Sequence, residues 1–100
     1  MRFIAIVLGF LISYAANAVP LLSVSEVAPG IYLHLSEHHW PDRANHGEIA
    51  NIGFIVGDKC VAVIDTGGNP KKGIALRNAI KQVTFKPVCY VINTHVHPDH

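Results

Sequence analysis

An α/β fold is what this sequence predicts, and three observations in its second half predict it. Cys60-Val61-Ala62-Val63-Ile64 is an almost continuous apolar run, the pattern of a strand buried on both faces. A helical stretch follows, in which Leu76, Ala79, Ile80 and Val83 recur at i, i+3, i+4 and i+7 and form one apolar stripe. Val88-Cys89-Tyr90-Val91-Ile92 is a second run of the buried type. Strand, helix, strand is a βαβ unit, in which the two strands lie parallel and the crossover is right-handed.

The elements before this unit follow from the amino terminus. Met1-Arg2 is a short positive region, Phe3 to Tyr14 is an apolar run broken by Gly9 and Ser13, and Ala16-Asn17-Ala18 has the small-residue spacing of a cleavage site. Residues 1–18 therefore read as a secretory signal peptide, and the mature chain begins at Val19. The apolar run is shorter than the ~20 residues that a membrane span needs. The expected destination is the periplasm or the exterior, with no membrane association beyond the signal peptide.

Val27-Ala28-Pro29-Gly30 reads as a turn, and Ile31-Tyr32-Leu33-His34-Leu35 as a strand with Ile31, Leu33 and Leu35 on one face and His34 turned to solvent. Ser36 to Glu48 is a long polar loop, and its His38, His39, Trp40 and His46 are candidates to cover a substrate. Ile49 to Val56 is a strand, closed by a two-residue hairpin turn at Gly57-Asp58. Asp65-Thr66-Gly67-Gly68 ends the next strand. Asn69 is a suitable N-cap for the helix and Pro70 fits its first position. Lys71, Lys72, Arg77 and Lys81 then face water, and Pro87 bars the helix from continuing.

Composition removes several function classes. The chain has 100 residues, with Lys and Arg together 8 and Asp and Glu together 7. Loss of Arg2 with the signal leaves the two signs equal, so no field is present to draw in nucleic acid or anionic lipid. Export to an oxidising compartment permits a disulfide between Cys60 and Cys89, which lie near the starts of the two parallel strands. Two small thiols packed as hydrophobes is the other reading.

The chemistry is concentrated at the carboxyl end. Three of the 7 histidines fall within His95-Val96-His97-Pro98-Asp99-His100. Imidazole nitrogens and a carboxylate are the ligands that zinc takes. If strand geometry persists past Ile92, His95 and His97 point the same way and reach one metal. Pro98 keeps His97 extended and can open a helix, which would place Asp99 and His100 in a first turn near a second metal position. Asp65 and His95 both follow strand ends, and ligand sites in such sheets lie beyond the carboxyl ends of the strands.

His95-Val96-His97-Pro98-Asp99-His100 resembles the H-x-H-x-D-H signature of the metallo-β-lactamase superfamily, and Val63-Ile64-Asp65-Thr66-Gly67 is similar to the aspartate motif that precedes it there. The resemblance implies an αβ/βα sandwich, of which this chain would be part of the first half, its domain at residues 19–100 ending after the zinc motif. It implies Zn²⁺ at two sites: His95 and His97 on the first, Asp99 and His100 on the second, with Asp65 holding the metal loop by hydrogen bonds. The implied activity is a zinc-dependent hydrolase, in which metal-bound hydroxide attacks the ester, thioester or amide of a small molecule and Asp99 orients the nucleophile or steadies the leaving group. The remaining ligands of that family lie further along its domain, so residues 19–100 alone are expected to be inactive. Asn51-Ile52-Gly53-Phe54-Ile55-Val56-Gly57, with Asp65-Thr66-Gly67-Gly68, looks most like an exported subgroup, the quinoprotein relay system zinc metallohydrolases. That resemblance implies a periplasmic quinoprotein dehydrogenase as partner. The alternative expectation is a non-catalytic metal-binding or partner-binding fragment in such a system.

Overall fold

The computed structural model describes residues 18–100. The expected signal peptide thus lies outside the described residues, except for Ala18. Among the described residues no helix is long and apolar enough to cross a membrane.

The fold is a mixed five-stranded sheet with one helix. Strands β1 (Ser25–Ala28), β2 (Ile31–His34), β3 (Ile52–Val56), β4 (Val61–Ile64) and β5 (Val88–Ile92) lie side by side in sequence order. The first four are antiparallel, and β4 pairs with β5 in parallel. Helix α1 (Pro70–Val83) is the crossover between those two. It starts where the sequence indicates: Asn69 has extended backbone, and its side-chain oxygen accepts from the Lys72 amide at 2.8 Å.

Three local readings are corrected. Ser25–Ala28 is a strand, and the turn is confined to Pro29-Gly30, where Gly30 takes φ 74. Proline followed by a glycine of positive φ is the chemistry of a type II turn, so the turn residues hid a short edge strand in front of them. The two-residue turn between β3 and β4 falls on Asp58-Lys59, one residue later than expected, and is closed by Gly57 N–H donating to the Cys60 carbonyl at 2.9 Å. β3 starts at Ile52, because Ala50 and Asn51 are taken up by Ser36, whose hydroxyl donates to the Ala50 carbonyl and whose amide donates to Asn51 Oδ1.

Registers divide the sheet into two faces. Tyr32, Phe54, Val63 and Val91 form one row across β2 to β5, and Phe54 stacks on Tyr32 with centroids 4.8 Å apart. That face packs on Ala75, Leu76, Ala79 and Ile80 of α1, with Ile52, Val61 and Leu22, to make the core. The segment after Ala18 runs along the helix, where Asn78 Nδ2 donates to the Pro20 carbonyl and Leu22 N–H to that of Ala75. Val83 is left exposed, so the helical stripe is shifted towards Ala75 and Lys72.

The opposite face carries Ile31, Ile55, Ala62 and Tyr90 in one row and Leu33, Gly53, Ile64 and Ile92 in the next. No described residue covers it: Ile55 is 41% exposed, Ile92 49% and Tyr90 64%. The expectation that β4 and β5 are buried on both faces is therefore corrected for the described residues. Helix α1 shields only one face of β4, and β5 at the sheet edge is exposed along most of its length.

Candidate metal centre

The site forms where β4 and β5 end. Asp65 continues the parallel ladder, its amide donating to the Ile92 carbonyl at 2.9 Å, and then turns the chain with φ 58. A positive φ is uncommon outside glycine, and aspartate is among the residues that tolerate it. Gly67 and Gly68 follow with φ 87 and 75. A side chain on Gly68 would run into the Pro98 carbonyl and the Asp99 backbone, so the absence of a Cβ allows the two loops to touch. Thr66 N–H, Gly67 N–H and the Thr66 hydroxyl all donate to the His100 carbonyl, which clasps the loops together.

Asp65 is buried, 3% exposed, and both of its carboxylate oxygens accept hydrogen bonds. Oδ1 accepts from the Thr94 amide at 2.8 Å, and Oδ2 accepts from the Thr94 hydroxyl at 2.8 Å and from His100 Nδ1 at 2.9 Å. Burial works against the charge on this carboxyl. The bonds from the Thr94 amide, His100 and the Thr94 hydroxyl outweigh it and hold the group below its ordinary value.

The His95–His100 loop does not continue as a strand, which corrects that expectation. The chain bends over Thr94 to Val96, and His100 N–H donating to the His97 carbonyl closes a four-residue turn with Pro98 and Asp99 at its centre, in place of a helix. The rings nevertheless gather. His95 lies 4.7 Å from His97 and 4.1 Å from His100 between centroids. His95 Nε2 faces His97 Nδ1 at 3.2 Å, and His100 Nε2 faces Asp99 Oδ2 at 3.5 Å. Two ligands at zinc bonding distance and tetrahedral angles stand about 3.3 Å apart. Each pair therefore has the bite of two ligands to one ion, and the donor types suit zinc. Among the described residues, however, no group of three or more His, Cys, Asp or Glu is arranged to hold a metal together. The donors form two pairs, each one short of the three protein ligands that a catalytic zinc site has.

The other candidates lie apart. Among the described residues no hydrogen bond or ion pair joins His38, His39, Trp40 or His46 to the metal loop. His39 pairs with Glu37 at 3.0 Å, and Trp40 is 89% exposed. Their loop is organised by its own polar groups, with Asp42 and Asn45 exchanging backbone-to-side-chain bonds and Asn45 Nδ2 capping the Trp40 carbonyl. Cys60 and Cys89 are free thiols, without the disulfide that their positions permit, and Cys89 is exposed rather than packed. A hydrogen bond with Cys60 pushes the Cys89 thiol up from its ordinary value. The two fall side by side because the β4–β5 register shifts between Val61 and Ala62, leaving Cys89 as the extra residue.

Sequence reasoning missed Thr94 and misplaced Lys72 and His34. Lys72 is buried, with its stem against Gly67 and Nζ 3.0 Å from His34 Nε2 and 3.4 Å from Glu48 Oε2. His34 Nδ1 donates to the Ser23 carbonyl at 2.7 Å, which frees Nε2 to accept from the ammonium. Glu48 also accepts from Asn69 Nδ2 at 2.9 Å. His34, Glu48 and Lys72 line a cavity of about 310 Å³ under the 36–49 loop. The hydroxyl next to His95 was the available signal for Thr94; nothing in the helical pattern marked Lys72.

Among curated proteins no relative matches this chain. A family model does: that of the metallo-beta-lactamase superfamily, over residues 46–100. The match takes in β3 to β5, the Asp65 turn and the whole His95–His100 loop, and does not reach down to the quinoprotein-linked subgroup. It spans more than half of the sequence, and on that ground, together with the loops described above, the chain belongs to the metallo-beta-lactamase superfamily.

Proposed function

We propose that this chain builds one side of the metal centre of a zinc-dependent hydrolase that opens an ester, thioester or amide of a small molecule. The observation that carries the reading is the pair of donor pairs, His95/His97 and Asp99/His100, held against a buried carboxylate that orients one ring of them. The superfamily includes metal-dependent hydrolases.

Zinc, when bound, would supply Lewis acidity and bring the pKa of a water towards ~7. The work of the protein is to aim the donors. His95 and His97 would hold one ion, and Asp99 and His100 a second. Asp65 fixes His100 with Nδ1 protonated and Nε2 free, the arrangement in which a ligating histidine leans on a carboxylate. Asp99, half-buried at the tip of the turn, would also accept a hydrogen bond from the attacking water and so fix its direction.

The uncovered face of the sheet supports the finer fold reading, an αβ/βα sandwich, in which a second sheet covers Ile55, Ile64, Tyr90 and Ile92. Export to the periplasm rests on residues 1–18. A quinoprotein dehydrogenase as partner rests on the resemblance at residues 51–57, 65–68 and 97–100, and no separate observation favours that role.

The test is zinc binding by residues 19–100, measured by competition with a chromophoric chelator, beside an ester, thioester and β-lactam hydrolysis panel. With two donors per ion, binding should be weak, lost in His97→Ala and His100→Ala, and accompanied by no turnover. Zinc binding that is indifferent to both substitutions would overturn the reading.

A further inference from the structure

We infer that Thr94 is a positioning residue: its hydroxyl, spent on Asp65, locks His95 as the Nδ1–H tautomer and turns the Nε2 lone pair towards His97. The argument is one of proton counting. Thr94 Oγ1 lies 2.8 Å from Asp65 Oδ2 and 2.9 Å from His95 Nδ1. A hydroxyl has one proton to give. Asp65 is already the acceptor for the Thr94 amide and for His100 Nδ1, and a carboxylate offers acceptors only, to which a hydrogen bond is about twice as strong as one to a neutral group. The proton therefore goes to Asp65, and the lone pairs of Oγ1 are what His95 meets. Its Nδ1 must then carry hydrogen, and its Nε2, which lies 3.2 Å from His97 Nδ1, is left bare.

The Thr94 amide donates to Asp65 Oδ1 at 2.8 Å, so backbone and side chain of Thr94 are both tied to the same carboxylate. One buried carboxylate thus sets two rings, His100 directly and His95 through Thr94. Both then present Nε2 to the space where Asp99 and His97 present their own donors. The consequence for zinc rests on the function proposed above; the tautomer itself does not.

Long-range ¹H–¹⁵N spectra of the imidazole rings, recorded well above the ordinary histidine pKa of about 6.5, read the tautomer directly. In the parent chain without metal His95 should be Nδ1–H. Thr94→Ser should keep that pattern, and Thr94→Val, which keeps the shape and loses the hydroxyl, should populate Nε2–H. Chelator competition should show zinc held about 10–100-fold more weakly by the valine variant and restored in the serine one. A parent His95 in the Nε2–H form, or a folded valine variant still wholly Nδ1–H, would overturn the inference. Should the valine variant lose its fold, the parent spectrum decides. A parent that shows Nδ1–H and binds no zinc supports the tautomer assignment while refuting the metal-centre reading.

Discussion

Replacing Asp65 by asparagine keeps the side chain's shape while removing its charge and turning one acceptor oxygen into an NH₂ donor, which makes it the sharpest perturbation of this site. Asparagine tolerates the positive φ of 58 at this position, so the turn survives, whereas alanine would add backbone strain. The amide oxygen can keep the Thr94 N–H. The amide nitrogen then stands where Oδ2 was and cannot accept from the Thr94 hydroxyl or from His100 Nδ1. Two charge-assisted bonds are lost, each worth about 1.5–3 kcal/mol. Thr94 can turn its hydroxyl and accept from the new NH₂, which recovers part of this, so the net loss should be about 2–3 kcal/mol. That is a large fraction of the 5–15 kcal/mol typical of a domain. His100 must also give up its Nδ1 proton to accept from the amide, which puts hydrogen on Nε2 and blocks it as a ligand. Zinc affinity should fall about 10–100-fold. Urea denaturation monitored by circular dichroism gives the first quantity and chelator competition the second. Stability within about 0.5 kcal/mol of the parent, with unchanged zinc affinity, would refute the reasoning.

Four further outcomes follow from the packing and the charges. Phe54, 1% exposed and stacked on Tyr32, should cost about 3–5 kcal/mol as Phe54→Ala, while the fully exposed Phe85→Ala should stay within about 0.5 kcal/mol; urea midpoints compare them. Gly68→Ala should weaken zinc binding more than it weakens the fold, since its Cβ would push on Pro98 and Asp99, and chelator competition beside the urea midpoint reads both. Ile55→Lys and Ile92→Lys should reduce binding of a hydrophobic dye, because both side chains lie on the uncovered face. The Glu48 carboxyl is held below its ordinary 4.5, chiefly by the bond from Asn69. Its contribution to stability is therefore present above pH 4.5 and is lost as the pH falls through its folded value, a dependence that Glu48→Gln should remove from an acid titration of the fold.

The parallel pair and its crossover were legible because each runs on local chemistry. Asn69-Pro70 starts the helix, the 3.6-residue stripe sets its buried side, and two β-branched runs flank it. The gathering of His95, His97, Asp99 and His100 was legible for a similar reason, since residues so close in sequence stay near one another whatever the backbone does. What escaped depends on neighbours distant in sequence. Lys72 looks solvated on a helical wheel, and only the approach of His34, from 38 residues away, and of Glu48 turns it inward. β5 has the composition of a central strand, yet among the described residues it is last in the sheet, because the pairing order and not its own sequence decides its coverage. Cys60 and Cys89 adjoin through a register shift that no spacing rule anticipates. Thr94 stood in plain sight beside His95; its role appears only once Asp65 is brought beside it from 29 residues back.

Zinc titration followed at all 7 imidazole rings by ¹⁵N resonance tests the central claim most directly, because it separates the metal loop from every other histidine in one measurement. The account predicts that added zinc moves His95, His97 and His100 and leaves His34, His38, His39 and His46 where they were. Shifts confined to the 38–46 loop, with the His95–His100 rings unmoved, would contradict it.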